Sequence, residues 1–257
     1  MSSAPAAAVP PSPTRAAADR GHTIEMAVAS RPLHASVAVT LWSPPGAGDD
    51  EPLPALAVHD GPEYAERTRL TELARGWIAD GRVPAHRIAL LHPGAREEWY
   101  SASALYARAL LTEVLPAVAA AAPAAGRPVG LGASLGALAM LHAQRRDPGA
   151  FAGLLLQSGS FFIPRHDHME KGFARYGRIV RFVRGVLRDQ EFDAAVPAVL
   201  TCGRDEDNVH NNRRVAAALA LQGYGAALHE RPGGHEWPVW ADGVRAHLPG
   251  LLTAAWG

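Results

Sequence analysis

Residues 129–146 read VGLGASLGALAMLHAQRR: an apolar run, a break rich in small residues, then a stretch of helical character. Within it, Gly132-Ala133-Ser134-Leu135-Gly136 fits the G-x-S-x-G pattern of a nucleophile elbow, where a serine sits on a strained turn between strand and helix. The two glycines are needed sterically, because side chains there would collide with the neighbouring strand and helix. The turn lifts the serine hydroxyl above the sheet, and the N-terminus of the following helix directs a positive dipole end toward a developing anion. With 25 glycines in 257 residues, the bare pattern arises by chance about 0.1 times in a chain of this composition. Its weight comes from the strand before it and the helix after it.

The same alternation continues on both sides. Apolar runs read as strands at 53–60 (LPALAVHD), 87–93 (RIALLHP), 152–160 (AGLLLQSGS), 197–203 (PAVLTCG) and 226–233 (AALHERPG). Spacing predicts helices near 67–80, 103–121, 135–146, 173–188, 210–222 and 237–253. Strands alternating with helices imply right-handed βαβ crossovers, so the expected fold class is α/β, a mostly parallel central sheet with helices on both faces. Near-continuous apolar strands fit burial on two sides. Ahead of this core, 23–30 (TIEMAVAS) and 35–44 (ASVAVTLWSP) read as an antiparallel pair. Residues 1–21, interrupted by Pro5, Pro10, Pro11 and Pro13, read as a disordered arm and not as a signal peptide, and 22–257 as a single domain.

Hydrophobic residues make up 48% and charged residues 19%, which excludes disorder for the bulk of the chain. Twenty-five basic residues balance 25 acidic ones, so no global field draws the chain to nucleic acid or anionic lipid. One cysteine, Cys202, cannot form an internal disulfide or a cysteine-based metal cluster, and it reads as a small buried hydrophobe. No run reaches the roughly 18 apolar residues of a membrane span, and the expected location is cytoplasmic. Nothing in the sequence sets an oligomeric state.

A serine hydroxyl is a weak nucleophile until an imidazole takes its proton, and the imidazole needs an acid to hold its tautomer. The strand at 197–203 runs into Gly203-Arg204-Asp205-Glu206-Asp207-Asn208, and the strand at 226–233 into Gly233-Gly234-His235-Glu236-Trp237. Both segments follow the carboxyl ends of strands, where α/β sheets place their ligands. Of the twelve histidines, His235 is the candidate base, because it follows a flexible Gly-Gly on the last strand-to-helix connection. Asp205, Glu206 and Asp207 compete for the acid, and neighbours on an extended segment point in opposite directions. Ser158 and Ser160 have no elbow behind them and are not read as nucleophiles.

With these residues in place the chain resembles the esterase D and enterochelin esterase group of α/β-hydrolases, which also includes mycolyltransferases. Besides GASLGA (132–137), the resemblance rests on VHDGPEY (58–64), REEWYSASALYARALLTEVLP (96–116), LQSGSFF (156–162) and GGHEWPVW (233–240). It runs from about residue 35 to the C-terminus. It implies an α/β-hydrolase fold and hydrolysis of a carboxylic ester through an acyl-enzyme, without metal or organic cofactor. The implied partner is a small-molecule ester of siderophore or aromatic type. Hydrolases of this fold commonly place the acid three residues after the strand-ending glycine, which favours Glu206, with Asp205 next. The resemblance also implies an oxyanion hole built from Leu135 N–H and the N–H after the Asp60-Gly61 pair. That next residue is Pro62, which has no N–H, so the hole must draw on Gly61 or Glu63. Losing one donor typically costs about 2.7–4 kcal/mol of transition-state stabilisation. A catalytically weak binding protein is therefore an alternative expectation, as is an acyltransferase of the mycolyltransferase type.

Arg96, Trp99, Tyr100 and Trp237 are the candidate substrate-binding residues, a guanidinium for anionic oxygens and rings for an aryl group. The competing readings are an Arg96–Glu98 pair tying the loop to the next helix, and plain packing for Trp237 and Trp240. His166-Asp167-His168 has metal-ligand residue types but reads as a solvated loop. Residues 164–189 read as an insertion whose basic, aromatic face leans over the pocket or faces solvent.

Overall fold

The computed structural model describes residues 20–167, 169–192 and 195–257. The arm expected over 1–21 lies outside the described residues up to residue 19, and so does His168. Among the described residues, eight strands are formed: β1 (His22–Ser30), β2 (Ala35–Ser43), β3 (Ala55–His59), β4 (Arg87–Leu91), β5 (Val129–Ala133), β6 (Gly153–Gln157), β7 (Ala198–Gly203) and β8 (Ala227–Arg231). They make one sheet in the order β1-β2-β4-β3-β5-β6-β7-β8. The β1–β2 and β2–β4 pairs are antiparallel and every pair from β4 to β8 is parallel. This is the expected α/β sheet with an antiparallel hairpin at one edge. Strands β4, β5 and β6 are buried at every position, which explains their unbroken apolar sequences.

The helices are α1 (Gly61–Thr68), α2 (Leu70–Ala79), α3 (Arg96–Tyr100), α4 (Ala104–Ala109), α5 (Leu115–Ala121), α6 (Leu135–Arg146), α7 (Tyr176–Arg188), α8 (Val209–Leu221) and α9 (Trp237–Trp256). Tyr64, Trp77, Trp240, Val244 and Leu248 place α1, α2 and α9 in the core on one face of the sheet. Trp99, Tyr106, Leu138, Val183 and Val215 place α3, α4, α6, α7 and α8 in a second core on the other.

Two helix expectations need correction. The helix expected near 67–80 is two helices, separated at Arg69, whose left-handed backbone (φ 58°) breaks the hydrogen-bond ladder. The first of them starts as early as Gly61, before the expected bound; Pro62 fits because the first helical turn has no use for its missing N–H. The expected helix at 103–121 is continuous but passes through a π turn at Leu110–Val114, with Leu115 N–H bonded to Leu110 C=O. That wider turn accommodates the Pro116 ring, which a regular helix interior would not. By length and composition alone this run, Ala104–Ala121, is enough to cross a membrane (mean hydropathy 1.4), although Arg108, Thr112 and Glu113 interrupt it, so it is not an unbroken apolar run. Its Tyr106, Leu110, Val114 and Val118 are packed in the core.

In the described part of the 164–189 segment, the basic face of α7 turns to solvent, as one of its two expected placements had it, while the apolar face packs inward. Arg178 donates to Glu98 Oε1 at 2.7 Å and to Ser101 C=O at 2.6 Å, and Arg175 also pairs with Glu98, so α7 is fastened to the end of α3. Ile179, Val183 and Val186 are buried beneath it, while Arg181, Arg184 and Arg188 face outward. Asp167 is buried and accepts hydrogen bonds from Ile163 N–H and from Asn211 Nδ2 at 2.7 and 2.8 Å, so its job is to staple the loop. Among the described residues no group of three or more His, Cys, Asp or Glu is placed to hold a metal ion. Cys202 is fully buried in β7.

Candidate active site

Every parallel strand that carries a candidate residue presents it at its carboxyl end. Ser134 follows β5 with φ 57° and ψ −123°, the strained backbone of an elbow, and heads α6. The close fit is measurable. A Cβ on Gly132 would lie 2.5 Å from the Gly136 carbonyl carbon, and one on Gly136 would lie 3.1 Å from His59 Cβ. A Cβ on Gly61 would lie 2.4 Å from Leu90 Cα. At Gly132 and Gly61 the overlap is severe and with backbone, whereas at Gly136 the neighbour need shift only by a few tenths of an ångström. Gly132→Ala and Gly61→Ala are therefore expected to cost about 3 kcal/mol or more in urea unfolding, and Gly136→Ala about 1 kcal/mol. Equal costs at all three positions would contradict this ranking.

The expected base and acid meet. His235 follows β8 on an exposed loop, and its Nδ1 lies 2.8 Å from Glu206 Oε2. Glu206 follows β7 and is buried; its other oxygen accepts from Gly203 N–H and from Ser158 Oγ, each at 2.6 Å. Burial pushes the Glu206 carboxyl up, but the donors His235, Ser158 and Gly203 N–H outweigh it and hold the group below the usual range. The neighbouring carboxylates are elsewhere: Asp205 is exposed and, among the described residues, accepts only from Gly233 N–H at 3.2 Å, and Asp207 is exposed. The Ser134 hydroxyl lies 3.1 Å from Ser160 Oγ, and Ser160 N–H bonds Ser134 C=O.

Trp240, and Asn208 and Asn212, which escaped the sequence reading, support these loops. Trp240 donates its indole N–H to Ser158 Oγ at 2.9 Å and stands edge-on to the His235 ring at 5.1 Å, so one side chain touches His235 and, through Ser158, supports Glu206. Asn208 and Asn212 clamp the loop at Ser158–Gly159 through four hydrogen bonds, holding Ser158 at φ 48°. The Asn208 and Asn212 amides belong to no motif and sit in a polar stretch, RDEDNVHNNRR (204–214), where nothing in the sequence sets them apart.

His59, at the end of β3, is fully buried beneath the elbow, with Nδ1 2.9 Å from Gly136 C=O and Nε2 2.9 Å from the Tyr106 hydroxyl. A carbonyl can only accept, so Nδ1 carries the hydrogen and Nε2 accepts from Tyr106. Burial lowers the His59 pKa from 6.5 to about 4, with the Gly136 hydrogen bond opposing, and burial lowers His142 to about 4 as well. Above pH 6.5 both histidines are neutral whether or not the chain is folded. As pH falls through the window from 6.5 to about 4, the unfolded chain takes up protons that the folded one refuses, and stability is lost, by roughly 3 kcal/mol per histidine. His142→Phe, which keeps a ring against Phe182, is expected to remove about half of that loss between pH 7 and 4 in urea titrations. An unchanged pH slope would contradict it.

Of the candidate substrate residues, Arg96 is already engaged. Its Nε and Nη2 bond both oxygens of Asp60 at 2.8 Å, tying the β4–α3 connection to the β3–α1 connection; the partner is Asp60 and not Glu98. Trp99 and Tyr100 are buried: Trp99 stacks on Tyr106 at 5.7 Å and fills the space over Gly94, and Tyr100 packs on His59 at 4.3 Å. The helical turn of α3 directs both rings into the core, which corrects their assignment to a substrate surface. Trp237 is half-buried, edge-on to Trp240 at 4.9 Å and to Tyr64 at 5.2 Å. Leu135 and Gly61 head α6 and α1, where first-turn N–H groups have no intrahelical acceptor.

The family model described as "Putative esterase" matches residues 30–251. The chain belongs to this esterase family. A similar protein is the Iron(III) enterobactin esterase of Dickeya dadantii, 31% identical over 79% of this chain and 49% of that protein, so the esterase-family chain spans about half of its length. A ferulic acid esterase structure superposes with a TM-score of 0.77 at 19% identity, covering 92% of this chain and 98% of the other. The enterobactin esterase of Shigella flexneri superposes with a TM-score of 0.76 at 21% identity, covering 91% and 60%. These likenesses identify the esterase-family sheet and its helices as an α/β-hydrolase fold.

Proposed function

We propose that this chain hydrolyses carboxylic esters, with Ser134 as nucleophile, His235 as general base and Glu206 as the acid that holds His235. The observation that carries the proposal is the 2.8 Å bond between His235 Nδ1 and Glu206 Oε2, on loops that follow the same sheet end as the elbow serine. With Nδ1–H directed at the carboxylate, Nε2 keeps its lone pair. Rotation of the Ser134 hydroxyl away from Ser160 delivers its proton to Nε2 as Oγ attacks the ester carbonyl carbon. Glu206, held ionised by its donors, supports the imidazolium that forms. The oxyanion is received by Leu135 N–H and Gly61 N–H, at the heads of helices that follow the paired strands β5 and β3. Collapse expels the alcohol, which takes the proton from Nε2 and leaves an acyl group on Ser134. Water then attacks in the same way and releases the acid.

We infer that the preferred acyl group is aromatic. Trp237 and Trp240 stand beside His235, and Arg96 keeps Nη1 unengaged by Asp60 for an anionic oxygen. The similar proteins include a ferulic acid esterase and enterobactin esterases, one of them crystallised with 2,3-dihydroxy-N-benzoyl-serine. Feruloyl or catecholate esters are expected to exceed a palmitoyl ester at least tenfold in kcat/KM. A palmitoyl ester ranking first would overturn the acyl preference. Pro62, which offers no N–H, favours a second reading, a hydrolase fold that binds esters with little turnover. Ser134-dependent hydrolysis of p-nitrophenyl acetate to octanoate well above background would exclude it.

A further inference from the structure

A cleft whose lining includes none of Ser134, Glu206 and His235 lies between α7, α8 and the segment that leads out of β6. Its volume is about 270 Å³. Phe162, Ile163, Val180, Val183 and Leu187 form an apolar floor, and Arg184, Arg188 and Arg214 stand at its rim. None of these three guanidinium groups has a hydrogen-bond or ion-pair partner among the described residues. Two nearby carboxylates are committed elsewhere: Asp189 pairs with Arg145, and Asp167 is taken by Asn211 and Ile163 N–H. Helix polarity explains Arg188, in the last turn of α7, where a cation is favoured. It does not explain Arg214, in the first half of α8. Three exposed like charges thus border an apolar floor in a chain whose formal net charge is zero, and a bound anion would meet them with charge-assisted hydrogen bonds. A free inorganic anion would leave the floor uncovered. An apolar body with one anionic head covers the floor and meets the rim, and a guanidinium binds a carboxylate through two parallel N–H donors.

We propose that this cleft is a binding site for an amphiphilic monoanion, a carboxylate carried on an aryl or short alkyl body. The site is separate from Ser134 and does not depend on ester hydrolysis. The probe is 8-anilinonaphthalene-1-sulfonate, whose fluorescence rises in apolar surroundings, titrated into the full chain and then displaced with octanoate. The Arg184→Glu/Arg188→Glu double variant and Arg214→Glu are expected to weaken both ligands at least tenfold. Arg181→Glu makes the same charge change on α7 but lies outside this cleft, and it is expected to alter binding less than twofold. Ser134→Ala is expected to bind like the wild type. Circular dichroism and urea midpoints verify that each variant is folded. An absence of saturable binding, equal loss in Arg181→Glu, or loss in Ser134→Ala would each overturn the proposal.

Discussion

Glu206→Gln is expected to lower kcat by about 10⁴ while Asp205→Asn changes it less than threefold. The difference lies in what each carboxylate faces. One Glu206 oxygen is claimed by Gly203 N–H and Ser158 Oγ, which leaves the other for His235. A glutamine keeps its carbonyl oxygen toward the first pair and turns its NH₂ group toward His235 Nδ1. That ring nitrogen must then accept, the hydrogen moves to Nε2, and the base can no longer take the serine proton. Asp205 is exposed, and its removal costs one hydrogen bond to Gly233 N–H. Steady-state kinetics on a p-nitrophenyl ester, with circular dichroism to verify folding, distinguishes the cases. The reverse ranking would move the acid to Asp205, and no effect from either would mean that His235 works without one.

Ser134→Ala is expected to remove nearly all turnover, a loss on the order of 10⁴ to 10⁶ in kcat, with the remainder reflecting binding and the oxyanion donors alone. Stability is expected to stay within about 0.5 kcal/mol. The Ser134 side chain makes no capping bond to α6, and its hydroxyl has Ser160 Oγ as its partner, so little but the reacting oxygen is lost. A large fall in urea midpoint would mean that the hydroxyl is structural, and retained turnover would mean that the nucleophile lies elsewhere.

The sheet and the elbow were legible in the sequence because each rests on local chemistry. Buried parallel strands need unbroken apolar runs such as RIALL and GLLLQ, and a strand-to-helix turn this tight needs glycine at 132 and 136. The contact between His235 and Glu206 was foreshadowed by the Gly-Gly loop and, through the resemblance, by the offset after Gly203. Pairings set only by tertiary packing were not legible. Arg96 is two residues from Glu98 in sequence yet bonds Asp60, because the ends of the paired strands β4 and β3 lie side by side. Trp99 and Tyr100 looked like binding residues because they follow a strand end, but α3 turns them inward onto Tyr106 and His59. Ser158 was set aside for lacking an elbow, and its contact with Glu206 depends on loops that meet only in the fold. The helix starting at Gly61 was hidden because Asp-Gly-Pro suits both a turn and a first helical turn.

The central claim is that Ser134 is activated for attack by His235. Intact-protein mass spectrometry after treatment with a fluorophosphonate tests it most directly, because that reagent phosphonylates a serine whose hydroxyl is being deprotonated. A single adduct on the wild type, mapped to the peptide containing Ser134 and missing from Ser134→Ala and His235→Ala, is the predicted result. No adduct on the wild type, or equal labelling of Ser134→Ala, would contradict it.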